Sequence, residues 1–287
     1  MKLKTLMKLI KIGLIILLII LISYQAKINK STQENSGNAP LINSDVDEIR
    51  VPCQYTEEDL LQGLSAYDVE DGYITEKILI GGFSDFTERG VSSLEYAVYD
   101  KDGNIATFNR KVVFSDYIPP RITIPEPCVY KPTDNAYNMP SLNLEGRDKL
   151  DGDISKHILI TNTDLDFSKP GDYTASVSLK NSFGDEVEMD LPIHVLDHGL
   201  SGYKIELKEP MIYVEKGDSV DPEGYITAIR NEYTNEIISD EDYTLTINSD
   251  VDTSEDGIYE IQYSAVSSDK VQRGENWLTV VVGDYGG

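Results

Sequence analysis

Two acidic turns in the first half of the chain carry the oxygen-rich side chains that can hold a hard cation. "YDVEDG" supplies Asp68, Glu70 and Asp71, and "YDKDGN" supplies Asp100, Asp102 and Asn104. Calcium takes about six to eight oxygens from carboxylates, side-chain amides and loop carbonyls, so two such turns suffice if the fold brings them to one pole. "RDKLDGD" repeats the pattern with Asp148, Asp151 and Asp153, and Asp116 lies in the connecting "DYIPPR". Calcium is the one candidate cofactor, these residues are its candidate ligands, and a bound ion would stiffen the joint beside Asp116. The competing account is structural. Asp-Gly and Asn accept the positive φ of tight hairpins, and an aspartate before a turn accepts backbone N–H groups. "DKDGN" also opens like a helix–loop–helix calcium loop, but its twelfth position is Lys111 where a bidentate glutamate is required. That version is excluded.

Other reactive residues lack a constellation. The three histidines are His157, His194 and His198. "HVLDH" has the spacing that joins two metal ligands on a helix, but here it ends a strand, where that spacing does not converge. The chain contains no G-x-S-x-G, phosphate-binding loop, dinucleotide fingerprint or H-E-x-x-H, so no catalytic residue is assigned and no enzymatic activity is expected. Cys53 and Cys128 hold matching places in successive repeats, about a domain length apart, which argues against a bond between them. Trp277 and most tyrosines are assigned to cores and strand surfaces, with Tyr99, Tyr117 and Tyr130 as contact candidates.

The elements that position these turns are copied. "DGYITEKILI" and "DGDISKHILI" are near-duplicates, and D-x-[ST]-x-x-G occurs as "DFTERG", "DFSKPG" and "DTSEDG". Each such glycine precedes strict alternation of apolar residues: Leu94, Tyr96, Val98; Tyr173, Ala175, Val177, Leu179; Tyr259, Ile261, Tyr263, Ala265. Period two with aromatic and β-branched residues marks half-buried strands. Closing strands "FNRKVVF", "VEMDLPIHV" and "NWLTVVV" complete the copies. The expected fold is all-β: three tandem Ig-like β-sandwich domains at 47–117, 118–197 and 203–285. They lack the paired cysteines and core tryptophan of antibody domains. The proline-bearing "YIPPR" should limit bending at the first joint, while the two glycines of "DHGLSG" should permit more at the second.

"YDVEDGYIT…DFTERG…LEYAVYDKDGNIATFNRKVVF" resembles the bacterial Ig-like repeat named for a pesticidal crystal protein. The first copy matches nearly throughout. The second keeps "DGDIS" and "DFSKPGDY" but has "NSFGDE" in place of D-x-x-G-N, and the third keeps only the D-x-[ST]-x-x-G-x-Y half. The resemblance implies a spacer or adhesive role and no reaction.

Residues 1–26 hold "IGLIILLIILI" behind Lys2, Lys4, Lys8 and Lys11, and read as a signal-anchor or transmembrane segment with a cytoplasmic amino end. A polar stalk follows at 27–46. This places the Ig-like domains outside the cell membrane, or secretes them if the segment is cleaved. Setting those four lysines aside leaves 21 of 25 basic residues against 50 acidic ones, a net of −29, which repels phosphate backbones and excludes nucleic acid as a partner. The expected function is a membrane-anchored, non-enzymatic Ig-like rod, a spacer or adhesion module for a protein or glycan, with its third domain outermost. The rivals are a subunit of a cell-envelope assembly and a cell-wall hydrolase with an unrecognised site.

Overall fold

In the computed structural model, residues 39–132, 142–197 and 202–283 are described. The first elements are strands β1 (Leu41–Ser44) and β2 (Glu48–Val51), helix α1 (Glu57–Leu61), then β3 (Leu64–Asp68), β4 (Gly72–Tyr73), β5 (Leu79–Phe83), β6 (Val91–Tyr99) and β7 (Ile105–Phe114). They form two sheets, ordered β1-β3-β4 and β2-β7-β6-β5. Alternation decides which face is buried: Leu94, Tyr96 and Val98 on β6 are wholly enclosed while Glu95 and Tyr99 point outward. Residues Leu41–Ser44, expected within the stalk, pair with β3 because Ile42 enters the core. Arg110 is also buried. Its guanidinium donates to the carbonyls of Leu60 and Gln62 and to the Tyr96 hydroxyl, pinning the loop after α1 to β7.

Next come β8 (Arg121–Thr123), β9 (Val129–Tyr130), β10 (Glu145–Asp148), β11 (Gly152–Asp153), β12 (Leu159–Thr163), β13 (Gly171–Lys180) and β14 (Glu186–Val195), in sheets β11-β10-β8 and β12-β13-β14-β9. The last set is β15 (Tyr203–Leu207), β16 (Met211–Val214), β17 (Ile226–Asn231), β18 (Tyr243–Ser249), β19 (Gly257–Ser267) and β20 (Arg273–Val282), in sheets β15-β17 and β16-β20-β19-β18. β9 runs parallel to β14 and β16 parallel to β20. A short early strand crossing to lie parallel with the last strand is the arrangement of Ig-like sandwiches.

Two compact units result. The first extends to Val51 and takes Tyr55–Ser84 and Ser92–Val113; the second takes Pro52–Gln54, Asp85–Val91 and the chain from Phe114. The second unit contains two repeats because they share a core. Met211 and Val281 pack with Ile122, Val187 and Leu191, and the Tyr213 hydroxyl donates to the Ile122 carbonyl at 2.7 Å. The Arg121 guanidinium sits 4.7 Å from the Tyr213 ring centroid. The joint expected to bend more is therefore bridged by buried apolar contact; residues 198–201 within it lie outside the described residues.

The expected membrane placement is corrected. Among the described residues no helix is long and apolar enough to cross a membrane, and the segment 1–26 that suggested one lies outside them.

Candidate functional site

In the first unit the two acidic turns do meet, joined by hydrogen bonds and a lysine. Asp68, 4% exposed, accepts the N–H groups of Glu70 and Asp71, each at 2.8 Å. Asp71 takes the Lys101 N–H on one oxygen at 2.8 Å and the Lys101 ammonium on the other at 2.9 Å. These bonds hold the Asp71 carboxyl below the usual range. Asp100 accepts the backbone N–H and side-chain amide of Asn104 at 2.8 and 2.7 Å, and these outweigh a burial that acts the other way, so its carboxyl is also lowered. Glu70 stands 3.8 Å from the same ammonium, and Asp102 is exposed at the tip. The main cationic partner at this pole is thus Lys101, with the Lys77 ammonium 3.8 Å from Asp71.

The second unit repeats the scheme. Asp148 accepts from Leu150 and Asp151 N–H, and Asp151 from the Ser182 N–H and hydroxyl at 2.6 and 2.7 Å. Asp153 accepts from Ser155 rather than facing Asp116. Asp116 is held by the Lys149 ammonium at 2.8 Å and the Cys53 N–H at 2.7 Å, which bring its carboxyl down to about 2. Among the described residues no group of three or more His, Cys, Asp or Glu side chains is arranged to hold a metal ion. Cys53 and Cys128 are free and buried, and burial pushes both thiols up to about 12.

The duplicated motifs are local hydrogen-bond devices. In "DGYIT" and "DGDIS" Gly72 and Gly152 share φ +74° in the hairpin, Ile74 and Ile154 enter the cores, and the hydroxyls of Thr75 and Ser155 accept the N–H groups of Ala66 and Gly146. In D-x-[ST], Asp166 and Asp252 each accept the N–H and hydroxyl of the residue two further on.

A different cluster lies where the two repeats of the second unit join. His194, at the end of β14, is 6% exposed, and its ring stacks on Trp277 of β20 with centroids 4.0 Å apart and planes 11° from parallel. Its Nδ1 lies 2.8 Å from Asp172 of β13, its cross-strand partner, and its Nε2 lies 2.9 Å from Glu260 of β19. Burial lowers the imidazole pKa, but the two carboxylates outweigh it and the net shift is upward. Burial raises the carboxyl of neighbouring Glu275. These residues line an open groove of about 880 Å³, together with Asn248, Asp250 and Gln262. Trp277, assigned from sequence to a core or strand surface, thus stands in a groove wall. The Asp172–His194 pair follows from hairpin register, but nothing in sequence links it to Glu260 or Trp277. Tyr117 and Tyr130 are in ring contacts with Phe86 and Phe167 respectively, while Tyr99 is half exposed.

Strands, parallel closure and turns define an all-β protein built of Ig-like β-sandwich repeats. No family profile matches the chain. A stretch of 139 residues is 27% identical to pesticidal crystal protein Cry22Aa of Bacillus thuringiensis, covering 47% of this chain and 18% of that protein. Among solved structures, the M60 catalytic domain with CBM51-1 and CBM51-2 from Clostridium perfringens ZmpB aligns over 85% of this chain and 31% of that one, at 15% identity and a TM-score of 0.22. Drosophila N-cadherin EC1-3 aligns over 71% and 80%, at 13% identity and a TM-score of 0.30. Superpositions this loose have no bearing on function.

Proposed function

We propose that the chain is a non-enzymatic binding module of three Ig-like repeats, and that the groove beside Trp277 receives a basic side chain of a protein partner. The observation carrying this reading is the groove's composition. Its walls hold five carboxylates (Asp172, Asp197, Asp250, Glu260 and Glu275) together with Trp277, and no lysine or arginine. Such a surface attracts a cation and repels phosphate or sulfate, and an indole face adds cation–π attraction. Asp172 and Glu260 already bond His194, which suits them to a structural and electrostatic role.

Trp277 is the sole tryptophan, so its emission reports on the groove directly. Titration with arginine- and lysine-containing peptides should change that emission, with affinity falling as salt rises. Gln262→Lys, beside Trp277 across the β19–β20 pair, should weaken binding without unfolding the protein. A response to neutral oligosaccharides in place of basic peptides would make the ligand a glycan. No response to either would remove the groove from the function.

A further inference from the structure

The carboxylates around His194 leave its ring no neutral state that keeps every bond. Both nitrogens lie within hydrogen-bond distance of a carboxylate oxygen, at 2.8 Å to Asp172 and 2.9 Å to Glu260. A neutral imidazole has one N–H, so its other nitrogen would turn a lone pair toward an oxygen that can only accept. Both contacts therefore require the imidazolium. The two partners differ in freedom. The Asp172 side chain is 88% exposed and can turn into water, whereas the Glu260 side chain is 23% exposed and held on the other repeat. We propose that His194 is a pH-sensitive latch between the two repeats of the second unit. As imidazolium it ion-pairs with Glu260 across the joint while Asp172 holds its other nitrogen. On losing its proton it lets Asp172 turn into water, the bond to Glu260 falls from an ion pair to a neutral N–H contact, and the joint loosens.

The surrounding groups all belong to this assignment. Asp172 on β13, Glu260 on β19 and Glu275 on β20 are negative and favour the imidazolium. The neighbouring cation on β20 is Arg273, which acts on Glu275. Asp250 receives the Glu260 N–H at 2.8 Å and keeps that strand edge in place. The Cys128 carbonyl accepts the His194 N–H, and the Cys128 thiol stays neutral because burial raises it. Stacking on Trp277 places the switch against the chain's one indole, so the same contact that seats His194 also reports its charge.

The latch acts whether or not the groove holds a ligand. Because the imidazole pKa is raised on folding, its contribution to stability is complete below the unfolded value of about 6.5 and is lost as pH rises through the folded value. An imidazolium quenches a stacked indole more strongly than a neutral ring does. The full chain titrated between pH 5 and 9 should therefore show Trp277 emission rising in one transition with its midpoint above 6.5. His194→Gln should abolish the transition, and Glu260→Gln should move the midpoint down. Amide hydrogen exchange at Ile193–Leu196 should accelerate across the same interval in the native protein and show no such step in His194→Gln. A transition that survives His194→Gln overturns the proposal. So does a Glu260→Gln midpoint that does not move, or exchange at Ile193–Leu196 that is flat through the emission change.

Discussion

The turn Asp100–Asn104 of the first unit and the turn Asn181–Asp185 of the second are the same hairpin put to different uses. Both close with the same backbone bonds, and both send a backbone N–H to the aspartate of the neighbouring turn, Lys101 to Asp71 and Ser182 to Asp151. The first position separates them. Asp100 spends both oxygens on Asn104. Asn181 uses its oxygen on Phe183 and Asp185, and its amide donates to Asp148 and to the Tyr117 hydroxyl, which donates on to Asp185. The third position separates them further. Asp102 is exposed, whereas Phe183 is buried against Phe86 and Phe114, at 4.9 and 5.5 Å between ring centroids. Two substitutions turn a solvated turn into one that anchors its surroundings.

The contrast can be broken at its strongest point first. Phe183→Ala should destabilise the protein by about 3 kcal/mol in urea denaturation, as expected for emptying a buried aromatic site. Asp102→Ala should leave the midpoint unchanged, and equal effects would erase the distinction. Asn181→Asp comes next. It removes the amide donor and faces Asp148 with a second carboxylate, for a loss of about 2 kcal/mol that should shrink in acid as the new carboxyl protonates.

A smaller effect concerns Asp116, whose carboxyl is brought down to about 2 by Lys149 and the Cys53 N–H. Its contribution is present above the unfolded value of about 4 and is lost as pH falls from there toward 2. Asp116→Asn should flatten that part of the stability–pH curve, and an unchanged acid limb would assign the loss elsewhere. The smallest effect is calcium. With Asp68, Asp71, Asp100, Asp116, Asp148, Asp151 and Asp153 bonded to lysines, amides or hydroxyls, millimolar calcium should leave the melting temperature unmoved; a rise reversed by EDTA would show that Lys101 and Lys149 can be displaced.

Much of the fold was legible because its signals are local. Alternation after Gly90, Gly171 and Gly257 announced β6, β13 and β19, and the Asp-Gly pairs announced hairpins whose φ only glycine adopts at low cost. The acidic turns were legible as turns. What their oxygens would meet was not, since the Lys101 ammonium and the backbone of turns about thirty residues away supply the donors. The stalk boundary was misplaced because "LINS" has too few residues to show a period before Ile42 finds its core.

By itself the sequence determined the strand pattern, the repeats and the turn chemistry, because each depends on neighbours within a few residues. Tertiary structure decided everything that depends on which distant surfaces touch. It set Phe183 among aromatic rings, fused two repeats into one unit through Met211 and Val281, and closed Asp172, Glu260 and Trp277 around His194. An imidazole's charge and an indole's exposure are set by what packs against them, and that packing comes from another repeat.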